Sequence, residues 1–548
     1  MKAAFRAVVL LVGAGILGCA AHHSLAEDPA PTTGDKHFTI LQLNDIYKVE
    51  GLEHMRVGGL ARARTLRRSL EGEGKPVLVL HSGDALGPSV MSKFLRAGPM
   101  IRCLNLLDGD AGAFDERFVF TPGNHEFDDR DPGLVLGRMA QSEFHWVTSN
   151  VLYKPSKDAA PKPFSSRLRN VHDTLIVDME GVKVGLLGVT CDVQPRDYVE
   201  YGYAHSSIDT TIRSSIDELK KQGARVLVAV THQEMGEDVR IAKAFPELDV
   251  VVGGHEHFYQ EKQVGRVWVT KGDADARTVV VIDMKVPAAS AVVATPRRVP
   301  LGPDVVPDPV VEAEAKHSLA ELAKAMKDQT GHDMADVVAT TEHALEGVEP
   351  AVRGRETALG NLLTDVLRAR METDIAFLNG GSIRINDDIP ADSPISTYDL
   401  EGVFYFDNEM VAFELTGAEL LDVLRRSVSE VHVGHGRFLQ VSGLRFTYHA
   451  SGPEDAPTYR IDASDVRVKG EPLEPTRTYS CASLDWVWQN GYRDGYAIFG
   501  AGRGKTSPKK LERPKAPSFR RATEEWMRSL PDKRVTTKIE GRITRAAD

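Results

Sequence analysis

Seven side chains in this 548-residue sequence have the types and order that could hold metal ions: Asp45, Asp84, Asn124, His125, His232, His255 and His257. Carboxylate, amide and imidazole donors together suit hard or borderline divalent ions such as zinc, manganese or iron. Two ions roughly 3.5 to 4 Å apart need a carboxylate in common, and Asp84, in Gly83-Asp84, is the natural bridge. A lone Gly-Asp or Thr-His means little. The string Gly123-Asn-His-Glu-Phe-Asp128, with Gly-Asp upstream and Gly253-Gly-His-Glu-His257 downstream, is specific, whereas His37, His54 and His449 read as scattered surface or core residues.

Something must bring these residues together, and the sequence supplies a series of apolar strands. Phe38–Leu43, Lys75–His81, Val119–Pro122, Arg225–Val230 and Leu248–Val252 each run into a loop rich in Asp, Asn or His. A helical pattern over Ile208–Gln222 lies among them, so the spacing predicts a layered α/β domain with its polar residues gathered past the strand ends. Prolines then crowd positions 287 to 309, and Val310–Gln329 reads as one amphipathic helix, together a domain connector. From about Met334 a second α/β region follows, with strands Asp374–Leu378 and Met410–Glu414 and helices Gly360–Met371 and Gly417–Glu430. The predicted organisation is a leader over 1–26, a metal domain over 36–300, a linker helix over 306–331 and a further domain over 334–548.

Composition narrows the function. The net charge of −11 argues against a general nucleic-acid binder, while leaving small phosphate esters open to a few local cations. The segment Ala501–Asp548 departs from this balance, with 14 Lys and Arg against 6 Asp and Glu; it reads as a solvated basic tail or, alternatively, a binding surface. The N-terminus has a basic start and a short apolar stretch over Ala7–Gly18, the pattern of an export signal. Ser24-Leu25-Ala26 is a small-x-small cleavage site, and Ile16-Leu17-Gly18-Cys19 resembles a bacterial lipobox that would leave Cys19 lipidated. The expected location is the periplasm or the cell surface, with membrane attachment only through Cys19. Cys103, Cys191 and Cys481 show no paired spacing and read as buried small hydrophobes.

Taken together, these motifs resemble the calcineurin-like metallophosphoesterases, and more closely the 5′-nucleotidase/UDP-sugar hydrolase/2′,3′-cyclic phosphodiesterase family. Gly58-Gly-Leu-Ala-Arg62, Leu359-Gly-Asn361 and Asn379-Gly-Gly-Ser-Ile-Arg384 extend the resemblance from Phe38 to Thr544. It implies an N-terminal four-layer α-β-β-α sandwich, a linker helix and a C-terminal mixed α/β substrate-binding domain. It implies two divalent ions, one held by Asp45, Asp84 and His257, the other by Asp84, Asn124, His232 and His255. His125, oriented by Asp128, would stabilise or protonate the leaving oxygen while water activated by the ions attacks phosphorus. One position departs from the family: D-x-H becomes Asp45-Ile46-Tyr47. That leaves a looser first site, Tyr47 as a ligand, or an inactive site.

The resemblance also makes the second domain a clamp. Arg353 and Arg384 would contact phosphate or ribose, with Arg355 sharing the role and Arg384 assisting catalysis. Asn379 would meet the nucleoside. Phe406 and Trp488 would sandwich the base, Trp486 replacing Trp488 if the loop differs. Asp494 belongs to Gly491-Tyr-Arg-Asp494-Gly-Tyr496, where Tyr492 and Arg493 add bulk, and Ser382 replaces a glycine. The implied activity is phosphate removal from nucleotides, by a monomer or dimer acting on a small-molecule substrate. Alternatives are a nucleotide-sugar pyrophosphatase, a cyclic-nucleotide phosphodiesterase, or a weakly active nucleotide- or phosphate-binding protein.

Overall fold

A computed structural model describes residues 34–191, 196–202, 207–453, 457–500, 507–513 and 517–546. The leader, both processing sites and Cys19 lie outside these residues. No described helix is long and apolar enough to cross a membrane.

The N-terminal half is built on two sheets. The first runs in the spatial order Val293–Pro300, Thr278–Val286, Lys36–Leu43, Val77–His81, Asp115–Phe120, Phe144–Val147, Val171–His172. The second runs Gln260–Val264, Val267–Lys271, Val250–Gly253, Val226–His232, Val182–Thr190, Thr174–Met179. Because side chains alternate along a strand, Phe38, Ile40, Leu78 and Leu80 point between the sheets, where they join Val184, Leu186, Val228 and Val252 in one core. One residue out of phase, Leu41, Leu43, Val77 and Val79 face helices Leu60–Gly72 and Gly98–Leu104 on the outside. Leu187, Val189 and Leu227 meet helices Ile208–Lys221 and Met235–Ala244 on the opposite outside. The result is an α-β-β-α sandwich. Burial on both faces explains the near-continuous apolar runs of the central strands.

The proline-dense stretch is not connector throughout. Val293–Pro300 is an edge strand antiparallel to Thr278–Val286, a place where missing N–H donors are tolerated. Helix Pro309–Thr330 begins at Asp308, whose carboxylate caps the N–H groups of Val310 and Val311, and ends at Gly331 with φ 79°. Its Val311, Ala315, Leu322 and Met326 are buried in the N-terminal core, so the helix lies along that domain rather than spanning open space.

The C-terminal half centres on a sheet ordered Met410–Thr416, Thr478–Leu484, Ile375–Asn379, Leu439–Ser442, flanked by helices Ala358–Met371 and Gly417–Val428. The basic segment is not a solvated tail. Helix Phe519–Ser529 buries Phe519 and Met527 in this domain's core, and Arg534–Val535 pairs in parallel with Val337–Thr341. Among the described residues, several of its cations have internal partners: Arg542 reaches Asp365 at 2.8 Å and Arg520 reaches Glu401 at 3.3 Å. A local surplus of charge says nothing about where the partner carboxylates lie along the chain.

Candidate metal and ester site

Parallel pairing of Lys36–Leu43 with Val77–His81, of the latter with Asp115–Phe120, and of Val226–His232 with Val250–Gly253 puts their C-terminal ends at one edge. The loops leaving that edge are tight. Asp45, Asp84, His255 and His257 all have positive φ, at 53°, 58°, 94° and 65°, backbone that non-glycine residues adopt at a cost of about 1–3 kcal/mol each and that clusters at functional sites. Gly83 and Gly123 allow the loops to touch: a Cβ on Gly123 would lie 2.1 Å from Asp84 Oδ1.

His232 Nδ1 donates to Ser82 O at 2.6 Å, which turns Nε2 toward Asp84 Oδ2 at 3.2 Å and His255 Nδ1 at 3.3 Å. Asp45, Asp84 and His232 each offer a ligand atom within 4.8 Å of the others, all fully buried. His257 Nε2 lies 3.1 Å from Asp45 Oδ1. Asn124 is buried beside them, its Oδ1 3.6 Å from Cys191 Sγ; Cys191 is thus a neighbour of the metal loops, unlike the buried Cys103 and Cys481.

The field of this cluster calls for positive charge. Burial alone would lower the pKa of His232, but Asp84 and Asp45 drive it up to about 10. Likewise, against its own desolvation, His257 is raised to about 9 by Glu349 and Asp45. Carboxylates buried this deeply need a cation or hydrogen-bond donors to offset their desolvation, and without metal the shifts of His232 and His257 run toward the charged imidazolium. His255, in contrast, is pushed well below the usual histidine range by burial and by His232, and stays a neutral donor. Two buried carboxylates, an amide and imidazole nitrogens fit divalent ions.

Tyr47 points into this cluster. Its Oη lies 2.8 Å from His257 Nε2, 3.2 Å from Asp84 Oδ2 and 3.3 Å from Asp45 Oδ1. Burial, then Asp84 and Asp45, raise its phenol well above the usual range.

Sequence reasoning assigned nothing to three acids that shape the site. Glu126, inside the Gly-Asn-His-Glu string, accepts the backbone N–H of Asp84 at 2.8 Å, Ala85 at 2.7 Å, Leu86 at 3.0 Å and Gly123 at 2.5 Å. Asp275 Oδ1 accepts from Tyr47 N and Lys48 N, both at 2.7 Å, while its Oδ2 takes Asn386 Nδ2 at 2.8 Å from the C-terminal domain. Glu349 enters from the same domain and reaches His257 Nδ1. Position within its motif marked Glu126; nothing local marked the other two.

His125 Nδ1 meets Asp128 Oδ2 at 2.5 Å, and its Nε2 lies 3.2 Å from Arg384 Nη2. Arg384 Nη1 donates to Glu349 Oε1 at 2.7 Å, and Arg353 Nη2 lies 2.7 Å from Glu349 Oε2. Both arginines keep a buried Nε with no partner among the described residues. Arg355 is not brought to this cluster: it forms a two-pronged pair with Glu346 at 2.6 Å, with its side chain 53% exposed. Phe406 lies under Arg384, ring centre 5.5 Å from the guanidinium carbon. Trp486 and Trp488 pack on the C-terminal core, the latter under Lys510 at 5.8 Å. The buried Asn379 has an Oδ1 with no partner among the described residues, and burial lifts Asp494 to about 6 against the pull of Arg437 and Arg353.

Residues 38–259 match the family model of the calcineurin-like phosphoesterases, and residues 337–500 that of the 5′-nucleotidase C-terminal domain. The chain belongs to the calcineurin-like phosphoesterases that carry a 5′-nucleotidase C-terminal domain. This phosphoesterase is 25% identical to a snake venom 5′-nucleotidase of Crotalus adamanteus over 84% of the chain and 82% of the venom protein. It is 24% identical, over 86% of its length, to the trifunctional nucleotide phosphoesterase protein YfkN of Bacillus subtilis, and spans only 33% of that longer protein. A solved 5′-nucleotidase precursor of Thermus thermophilus superposes with a TM-score of 0.74 at 25% identity, over 93% of this chain and 100% of the other. The phosphoesterase is accordingly a phosphoester hydrolase of the metallophosphoesterase family.

Proposed function

We propose that the protein is an exported, metal-dependent phosphohydrolase that removes phosphate from nucleotides. The observation that carries this reading is the meeting of His125 Nε2 and Arg384 Nη2, 3.2 Å apart, across the two domains. A histidine from the metal loops and a guanidinium from the clamp thereby face one point, where the ester would sit. The leader supports export, with the periplasm or cell surface as destination.

Asp45, Asp84 and His257 would hold one ion, and Asp84, Asn124, His232 and His255 the other. Bound there, divalent ions supply Lewis acidity and a nucleophilic water at neutral pH. The chain's own groups do the rest. The unpartnered Nε–H groups of Arg353 and Arg384 are donors for phosphate oxygens. Asp128 holds the His125 ring by Nδ1, which leaves Nε2 facing the point where the leaving oxygen would sit, within reach for proton transfer. Phe406, beside Arg384, offers a stacking face for the base.

The test is phosphate release from AMP, UDP-glucose, a cyclic nucleotide and an aryl phosphate, each with added zinc, manganese or iron and with a chelator control. Release from AMP that the chelator stops and metal restores supports the reading. Turnover confined to UDP-glucose or the cyclic nucleotide replaces it with the pyrophosphatase or phosphodiesterase. Nucleotide binding without turnover makes the protein a binder, the outcome that a phenol at position 47 favours.

A further inference from the structure

Glu349 is the one acid of the C-terminal domain that, among the described residues, enters the metal cluster, and it does so from a short helix, Glu349–Val352. Its side chain is 2% exposed. Around it stand three cationic or polar groups from both domains: Arg384 Nη1 at 2.7 Å, Arg353 Nη2 at 2.7 Å, and His257 Nδ1 in ion-pair contact. The backbone of Glu349 is held as well, its N–H reaching Asn386 Oδ1 at 3.5 Å, while Asn386 Nδ2 reaches Asp275. Asp275 in turn fixes the backbone of Tyr47 and Lys48. One carboxylate therefore sits between the arginines that face the ester and a histidine of the metal loops.

We propose that Glu349 is a positioning residue that sets the protein's grip on phosphate against its grip on metal, a reading that rests on phosphate binding at Arg353 and Arg384. Its negative charge lies where it opposes an incoming phosphate and favours a nearby cation. Glu349 takes one Nη of each guanidinium and leaves their Nε–H groups among the donors open to phosphate, and the arginines together with Glu349 present a net charge of one rather than two. Toward His257, the carboxylate sets a negative charge against Nδ1 and so makes Nε2 a better donor, the usual effect of an acid behind a metal-bound histidine. Removing the charge must move the two affinities in opposite directions, a signature that general loosening of the fold does not produce.

The experiment measures two dissociation constants on the full-length protein, inorganic phosphate as competitive inhibitor or by calorimetry, and Mn²⁺ alone by titration of the metal-free protein. In Glu349→Gln, phosphate is expected to bind roughly five-fold tighter and Mn²⁺ about 10- to 100-fold weaker. Glu349→Asp, which keeps the charge but is one methylene too short to touch all three partners, is expected to shift both in the same senses by less. It serves as the test if the glutamine variant does not fold. Either variant moving both affinities the same way, or leaving phosphate affinity unchanged, overturns the proposal. A wild-type protein that binds no phosphate overturns the reading beneath it, and the proposal with it.

Discussion

Tyr47 Oη stands 2.8 Å from His257 Nε2. A side chain that the resemblance would have as a metal-binding imidazole is here a phenol, held by its backbone to Asp275 and aimed at two carboxylates. A phenol offers an O–H where an imidazole offers a lone pair, and burial among carboxylates keeps that proton in place. The first ion should therefore be held less tightly than the second. Metal analysis after gel filtration is expected to give about one ion per wild-type chain, rising toward two in Tyr47→His. Equal retention in both proteins would show that the phenol costs the site nothing.

His125 is fixed on one side by Asp128 and faced on the other by Arg384. A group so placed acts on charge that develops at the leaving oxygen, and removing such a donor costs about 10²- to 10³-fold in turnover. His125→Ala is expected to lose that much in kcat on AMP with little change in bound metal. A near-wild-type kcat would refute the assignment. Asp128→Asn, which leaves the ring in place but withdraws its charge, should lie between the two.

How far the sequence reached follows from where each partner lies. The metal loops were legible because each ligand follows its own strand, so apolar runs and polar ends could be read in order, and the parallel pairing does the gathering. Glu126 sat in the motif, but its use is long-range: Ala85 lies 41 residues away. Asp275 meets Tyr47 across 228 residues, and no local pattern marks such a pair. Arg353 and Arg355 differ by two positions, and only the turn of the short helix before them sends one inward to Glu349 and the other out to Glu346.

The role of Glu126 predicts a stability effect distinct from any loss of chemistry. Its carboxylate satisfies four buried N–H groups of the loops that carry Asp84 and Gly123. An unsatisfied buried donor costs about 1–3 kcal/mol. Glu126→Ala should therefore lower the unfolding free energy by at least about 3 kcal/mol in urea, and Glu126→Gln by less. Unchanged urea midpoints in both would mean that water replaces the carboxylate.

Phe406 and the metal loops should separate in their effects on substrates. Stacking of a base on an aromatic ring contributes about 1–3 kcal/mol, and an aryl phosphate lacking a nucleobase should gain less from a base pocket. Phe406→Ala is expected to raise KM for AMP by about 10-fold or more while leaving KM for the aryl phosphate within about two-fold. Parallel losses on both substrates would place Phe406 in support of Arg384 and remove it from base recognition.

The pH dependence of the metal-free protein follows from the imidazoles. In the folded chain His232 and His257 are raised to about 10 and about 9, against an ordinary 6.5, because Asp84 for the first and Glu349 for the second, with Asp45 for both, outweigh their desolvation. A group raised on folding contributes its full stability below its unfolded pKa and loses it as pH climbs through the folded one. Glu126, raised to about 7 by burial and Asp84, acts with the same sign at lower pH. The melting temperature of the metal-free protein should thus fall between pH 6.5 and 9.5. Metal takes over the positive charge, so the Mn²⁺-loaded protein should lose much less over that range. The displaced protons should appear in calorimetric titrations with Mn²⁺ near pH 7.5, as a dependence of the heat on buffer ionisation enthalpy. A metal-free melting temperature that does not fall across this window would mean that the imidazoles are already neutral there and that the carboxylates find their counter-charge elsewhere.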